Sequence, residues 1–280
     1  MQDNTFDELA DLALRQTGQV FQRSKFYLME ARLATICRRE SFAGIDDLVH
    51  CLSERPNQRF EAEIAAALTG KATHFFKQRE TIEQVVNHAL PNRLKHSTTG
   101  RLRVWCAGVA TGQEAWSLAI RLSELSDQPL GKAEIEIVAT DISEPALQTA
   151  KSGTYGHYAV QTGLSIDRLI THFDRHDTGD WTIKSDLMDR VSFKRHNLLE
   201  SGEKLGHFDV ILCRNVLSKM APVMARQAVG KFAKQLLPGG FVFLGKDEDI
   251  HAQQPTLKPS RDMRGAWVPV ERDESAEEAA

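Results

Sequence analysis

No run of about 18 apolar residues occurs anywhere in the 280-residue chain, so the sequence offers no membrane-spanning helix. Cysteine is scarce. The four present, Cys37, Cys51, Cys106 and Cys213, show no close-paired spacing, which excludes a zinc knuckle or a disulfide framework. Neither charge sign is in excess: 35 Lys and Arg face 38 Asp and Glu, and the net charge of -3 argues against a dedicated nucleic-acid binder. A G-x-G-x-x-G motif is missing, which counts against a dinucleotide and hence against an NAD-dependent oxidoreductase. There is no internal repeat, and the acidic, amphipathic N-terminus is unlike a signal peptide. What remains is ordinary globular composition, 41% hydrophobic and 26% charged, with enough apolar material for a real core. These features predict a soluble, cytoplasmic protein without a structural metal.

The first hundred residues read as helical. Apolar residues recur at helical spacing in Phe6, Leu9, Leu12 and Leu14, then in Phe26, Met29, Leu33 and Ile36, and on through GIDDLVHCLSER and FEAEIAAAL. After a polar connector at 96–100 the pattern changes to strands alternating with helices. Strands are expected at 102–108, 135–140, 208–213 and 241–244, and helices at 114–125, 144–151 and 224–237. That alternation predicts an α/β domain with a mainly parallel sheet. Between Gly153 and His196 it breaks: a helix over 166–173 precedes Trp181–Ile183 and Val191–Phe193, read together as a hairpin lying beside the main sheet. Pro238-Gly239-Gly240 reads as a turn. The expected division is therefore a helical domain over 1–96, an α/β domain over 97–270 with a small β-subdomain inserted at about 153–196, and an acidic, disordered tail over 271–280.

Three places carry residues suited to chemistry. Strand 102–108 runs into small residues and then a helix, so Gly108 either lets the backbone approach a ligand or simply makes a turn. Asp141 ends the second strand, where it would hydrogen-bond a ribose diol or cap the next helix. Arg214 and Asn215 follow an otherwise apolar strand, an awkward place for core residues and a natural one for site residues. A glycine turn plus a strand-end acid, without a pyrophosphate loop, favours an adenosine-containing ligand. S-adenosylmethionine fits.

On these residues the chain resembles the chemotaxis receptor methyltransferases, the CheR family of protein-glutamate O-methyltransferases. Residues 68–77 (LTGKATHFFK) are similar to the family's L-T-x-N-x-T-x-F-F-R, and 105–119 (WCAGVATGQEAWSLA) to its W-x-A-x-x-S-T-G-[EQ]-E-x-Y-S-[IL]-A. Residues 139–142 (ATDI), 151–155 (KSGTY), 197–199 (NLL), 208–217 (FDVILCRNVL) and 237–245 (LPGGFVFLG) follow in the family's order. The resemblance implies an all-α N-terminal domain, a Rossmann-like SAM-binding methyltransferase domain and a small antiparallel β-subdomain insertion. It further implies that Thr73, Lys77, Gly108, Glu114, Asp141, Asn197, Leu198, Arg214 and Asn215 bind the cofactor. Asp141 and Glu114 are its acidic partners, and Asn197 and Leu198 flank adenine. The partner implied is the cytoplasmic helical bundle of a methyl-accepting chemoreceptor.

Three positions depart from the family pattern. Lys71 stands for asparagine, Lys77 for arginine, and Lys219 for the tyrosine near the transferring methyl. Lysine lacks arginine's planar fork, and a cation beside a sulfonium is unfavourable unless a carboxylate lies between them. Lys77 and Lys219 are thus the candidate catalytic positions, and two readings stand: a protein-glutamate methyltransferase, or a SAM- or SAH-binding signalling adaptor of the same fold. The hairpin between Phe173 and Leu187 is about three residues shorter than in members that bind a receptor's C-terminal pentapeptide, which implies a pentapeptide-independent type. Lys25, Arg32 and Arg39, seven apart on one helical stripe, are either a receptor-docking surface or a solvated face.

Overall fold

A computed structural model describes residues 3–70, 72–248 and 256–270. The expected acidic tail and Lys71 lie outside the described residues. The chain opens with four helices, α1 (Asp3–Thr17), α2 (Phe26–Arg39), α3 (Ile45–Glu54) and α4 (Gln58–Leu68). Their apolar stripes close on one another: Leu9, Leu12, Met29, Leu33, Leu48, Ile64 and Leu68 are buried in a cluster separate from the rest of the protein. Helices α5 (Arg79–Gln84) and α6 (Leu90–His96) follow, joined by a π-helical turn over Val85–Ala89. The sequence reading groups this stretch with the N-terminal helices. Its apolar residues, from Phe75 and Phe76 through Ile82, Val85 and Val86 to Leu90, are instead buried with the strands.

The main sheet has seven strands. In chain order its members are β1 (Arg101–Ala107), β2 (Glu134–Asp141), β6 (Val191–Arg195), β7 (Phe208–Cys213), β8 (Leu236–Leu244), β9 (Leu257–Pro259) and β10 (Ala266–Pro269). They lie in the order β6-β2-β1-β7-β8-β10-β9. The first five pair in parallel, and β10 adds antiparallel to β8 and to β9. Alternate side chains of the central strands enter different cores. Val104, Cys106, Ile137, Ala139, Val210 and Leu212 face one side, under α5, α6 and α7 (Gln113–Ser123). Trp105, Ala107, Val138, Ile211 and Cys213 face the other. There Trp105 sits at ring-centroid distances of 5.4 Å from Phe208 and 5.3 Å from Phe232, the latter on the long helix Pro222–Gln235.

The inserted segment carries a second sheet, ordered β3-β5-β4, from β3 (Thr154–Tyr155), β4 (Phe173–Arg175) and β5 (Trp181–Ile183). The hairpin here pairs β4 with β5, closed by His176 N–H donating to Asp180 O at 2.9 Å. This corrects the expected pairing of 181–183 with 191–193. After β5 the chain passes through the short helix Ser185–Met188, not a tight turn, and residues 191–195 return to the main sheet beside β2. Parallel pairing needs such a crossover, and the whole insertion supplies it. The expected turn at 238–240 lies within β8 and is absorbed as an irregularity, since Phe208 pairs with Leu236 while Val210 pairs with Phe241.

Candidate active site

The connections diverge at β1 and β7: from β1 the chain works outward through β2 to β6, and from β7 through β8 to the other edge. A crevice at such a switch point, outside the carboxyl ends of the strands, is where open α/β sheets bind ligands. A cleft of about 940 Å3, open to solvent, lies there. Every cofactor residue expected from the sequence lines it. Gly108 follows β1, Glu114 sits in the first turn of α7 and Asp141 ends β2. Asn197 and Leu198 follow β6, Arg214 and Asn215 follow β7, and Thr73 and Lys77 come from the link between α4 and α5. Lys219 lines it too, on a 3-10 turn over Leu217–Lys219.

Asp141 is held by backbone groups of its neighbours. Oδ2 accepts from Ala110 N–H and Oδ1 from Ser143 N–H, both at 2.8 Å. Capping of the following helix (Glu144–Ser152) falls to Ser143, whose Oγ accepts from Ala146 N–H at 3.4 Å. The helix-cap alternative for Asp141 is thereby taken by its neighbour.

Arg214 and Glu114 form the deepest ion pair in the cleft, Nη1 to Oε2 at 2.8 Å, with side chains 1% and 15% exposed. Arg214 Nη2 also donates to the Lys77 carbonyl and, at 3.1 Å, to Gln78 Oε1. Its guanidinium is therefore a strut that fixes the segment carrying Lys77. Burial pushes the Glu114 carboxyl above the usual carboxylate range and the charge of Glu248 adds to this, while Arg214 and Lys77 oppose it. Burial likewise raises the thiols of Cys106 and Cys213 well above their ordinary value. Asn197 spends its side chain on the protein: Nδ2 donates to Gln16 O at 2.7 Å and Oδ1 accepts from Leu199 N–H at 3.0 Å. This ties the loop after β6 to the end of α1.

Backbone strain gathers at the same place. Phe76, Gln78, Ala110 and Asn215 all have positive φ, between 48° and 61°. Asn215 is kept there by Glu248, a buried carboxylate that accepts from the N–H groups of Asn215, Ser218 and Gly245 at 2.8, 3.0 and 2.7 Å. Glu248 escaped the sequence reading. The signal was the one that pointed to Asp141, an acid just beyond the end of an apolar strand. Thr17, Gln19 and Met220 also line the cleft unannounced. They meet because Gln19 bridges Met220 and Val20 N–H donates to Lys219 O at 2.9 Å, which brings the helical domain onto the rim.

Gly108 answers to packing as well as to any ligand. Its φ is +77°, and a Cβ there would fall 2.6 Å from Val216 Cγ2. Gly108→Ala is expected to lower unfolding free energy by about 1–3 kcal/mol, measured as the shift of a urea-unfolding midpoint. Adding Val216→Ala should recover part of that loss, because only the clash is relieved.

The stripe of Lys25, Arg32 and Arg39 is not a uniform face. Arg39 pairs with Glu63 of α4 and with Glu40. Arg32 donates to the carbonyl of Leu68 and turns towards Gly70, beside the cleft. Helix α4 packs against α2 and supplies Glu63 and the Leu68 carbonyl, a placement that one helix's spacing does not contain.

A doubly wound sheet with an acid at the end of its second strand and a cleft at its switch point has the architecture of a nucleotide-binding α/β domain. A family model described as the SAM-binding domain of CheR methyltransferase matches residues 71–265, and one described as the all-alpha domain of CheR methyltransferase matches residues 4–68. The chain is 34% identical over 247 residues to "Chemotaxis protein methyltransferase 1" of Pseudomonas aeruginosa, covering 87% of this chain and 90% of the relative. It is 30% identical over 248 residues to "Chemotaxis protein methyltransferase Cher2" of Pseudomonas putida, covering 88% and 90%. Against "Chemotaxis protein methyltransferase 2" of Vibrio cholerae it is 31% identical over 253 residues, covering 89% and 86%. The chain belongs to the CheR methyltransferase family. Among the described residues no helix is long and apolar enough to cross a membrane.

Proposed function

We propose that this S-adenosylmethionine-dependent methyltransferase acts in the cytoplasm and forms methyl esters on glutamate side chains of a chemoreceptor's helical bundle. The observation that carries the reading is the convergence of residues from six separate segments on one cleft, in a chain whose relatives are named chemotaxis protein methyltransferases. Asp141, at the end of β2, would accept from the ribose diol, and Glu114 would take the cofactor's ammonium group. Leu198, with Ile142 beside it, offers an apolar wall for adenine, while Asn197 holds that wall against α1. Thr73 and Lys77 would meet the methionine portion. Arg214 and Asn215 shape the floor, and the small residues around Gly108 let the backbone come close.

When bound, S-adenosylmethionine would supply an electrophilic methyl carried on a sulfonium, transferable to an acceptor carboxylate with the sulfide as leaving group. No proton moves. A glutamate is already ionised at neutral pH, so no general base is required of the protein. Its residues contribute position and exclusion of water.

Docking independent of a receptor's C-terminal pentapeptide fits the insertion. The edges of its sheet are strands of two and three residues, β3 and β4, which offer few backbone groups to an added strand.

Lys77 and Lys219 separate transfer from mere binding. If they have weakened an otherwise intact centre, Lys77→Arg with Lys219→Tyr should raise the initial rate on a chemoreceptor fragment. The double variant restores a planar donor and removes a cation from beside the sulfonium. If Lys219 orients the acceptor, the same change should raise the acceptor KM and slow transfer. Initial rates with labelled methyl, run beside SAH affinity, distinguish these. No transfer by the wild type to any receptor of its host, with normal SAM binding, would leave the adaptor reading.

A further inference from the structure

Glu248 is only 6% exposed, and among the described residues no lysine, arginine or histidine pairs with it. Its carboxylate is held by backbone alone. Oε2 accepts from the N–H groups of Asn215 and Gly245, and Oε1 from that of Ser218. These donors come from the connections after β7 and β8, so one side chain ties two strand ends together. Gly245 makes the room: a Cβ there would fall 2.5 Å from Glu248 Oε2 and 2.9 Å from the Asn215 nitrogen. Three converging donors call for a group that only accepts, as a carboxylate does and an amide does not.

The charge buried in this way stands behind a cleft that is rich in cations. Lys77 and Lys219 line it, and neither pairs with a carboxylate among the described residues. Lys219 Nζ and Arg32 Nη2 both close on Gly70, 3.1 and 3.3 Å from where a Cβ would stand. Glu114 is spent on Arg214. Lys77 and Lys219 would therefore repel a sulfonium placed among them. The charge of Glu248 reaches the same space, since it acts on both Lys219 and Glu114.

We propose that Glu248 sets the charge specificity of the cofactor site: fixed by the turn that carries Asn215 and Lys219, its carboxylate offsets the cleft lysines and so admits the sulfonium of S-adenosylmethionine. The inference rests on the methyltransferase reading above and adds to it a residue behind the cleft wall. Glu248 does not line the cleft, so it is a positioning residue that acts through its field and through the turn it holds. Transfer leaves an uncharged sulfide, and this attraction is then gone. The charge thus favours SAM over its product, SAH.

The two oxygens of Glu248 allow charge and clamp to be separated. In Glu248→Gln the amide oxygen can keep the bonds to Asn215 and Gly245, and only Ser218 N–H is left facing a donor. The turn also holds itself, because Lys219 N–H donates to Val216 O and Val20 N–H to Lys219 O. In Glu248→Asp the charge stays and the shorter arm reaches fewer donors. Lys219 reports on the charge independently. It titrates below the ordinary lysine range, first through partial loss of hydration and then through the cations of Lys77 and Arg32, against the carboxylates of Glu248 and Asp141. Without the charge of Glu248 it should titrate lower still.

The test is calorimetry of SAM and of SAH on the full chain, which needs no receptor. Glu248→Gln should lower affinity for SAM relative to SAH by about fivefold or more, with SAH itself bound within about twofold of wild type. Glu248→Asp should weaken both cofactors and keep their ratio within about twofold, because the charge stays while the turn bearing Asn215 loosens. NMR of 13C-labelled lysine, with the Lys219 signal identified by its absence from Lys219→Gln, should show Lys219 titrating lower in Glu248→Gln than in wild type. A merely structural role would instead release Lys219 to water and raise its titration. An unchanged ratio in folded Glu248→Gln overturns the assignment, and so does equal weakening of SAM and SAH, which reduces Glu248 to a brace of the turn. If Glu248→Gln does not fold, Glu248→Asp decides: a ratio kept supports the assignment and a ratio lost overturns it. A wild type that binds SAM and methylates no receptor fragment would overturn the acceptor reading, while the ratio still decides on Glu248.

Discussion

A protein carrying Arg214→Met is expected to lose about 3–5 kcal/mol of folding free energy, because the change strands Glu114 without its buried partner. The guanidinium is 1% exposed and reaches Glu114, Gln78 and the Lys77 carbonyl, so all three are left unpaired by one substitution. The loss should depend on pH with a definite sign. Glu114 already titrates above the usual carboxylate range, through burial first and the charge of Glu248 second. Without Arg214 it moves further up. A group whose folded-state pKa is raised contributes its stability below the unfolded value and loses it as pH rises through the folded one. The variant should therefore lie nearest to wild type in acid and fall away as pH rises through that raised range. Urea unfolding at several pH values measures this, and adding Glu114→Gln should recover part of the loss, as expected for coupled partners. A loss independent of pH, and unaffected by Glu114→Gln, would mean that the pair is not what Arg214 supports.

Asp141→Ala should weaken SAH binding tenfold or more, the equivalent of about 1.5–3 kcal/mol for a hydrogen bond to a charged acceptor. The same carboxylate accepts from Ala110 and Ser143, so part of any loss could come from a loosened turn. A nucleoside control separates the two effects. Wild type should discriminate against an SAH analogue lacking the ribose 2′-hydroxyl, and Asp141→Ala should bind SAH and the analogue alike. Equal discrimination in both proteins would remove Asp141 from the ribose contact even if affinity had dropped.

Much of this cleft was legible before any coordinates, for a local reason. Strand β7, Phe208–Cys213, is buried along its whole length and reads as an apolar run after Asp209, so the polar Arg214-Asn215 that follows marks its carboxyl end. Asp141 is announced in the same way by β2. In a parallel sheet the carboxyl ends lie on one side, so residues that each end a strand must meet there, whatever their separation in the chain. Glu248 obeys the same rule and could have been read by it.

The hairpin of the insertion was misread, and the helical stripe was left open, because both depended on partners far along the chain. Trp181–Ile183 and Val191–Phe193 look alike as short apolar strands, and nothing local tells which of two sheets each will join. The choice falls to the crossover that returns β6 to β2. Arg32 and Arg39 share a stripe on α2, but one is drawn to the carbonyl of Leu68 above Gly70 and the other to Glu63. The sequence by itself determined where most strands and helices form, the alternating strand–helix character of the α/β domain and the chemical types available at each strand end, since these follow from periodicity and short-range sterics. Only the tertiary structure decided that residues 75–96 pack under the sheet, that Arg214 is spent on Glu114 and Gln78, and that two cations from different domains close over one glycine. Burial and charge pairing depend on which segments become neighbours, and that is set by the packing of the whole chain.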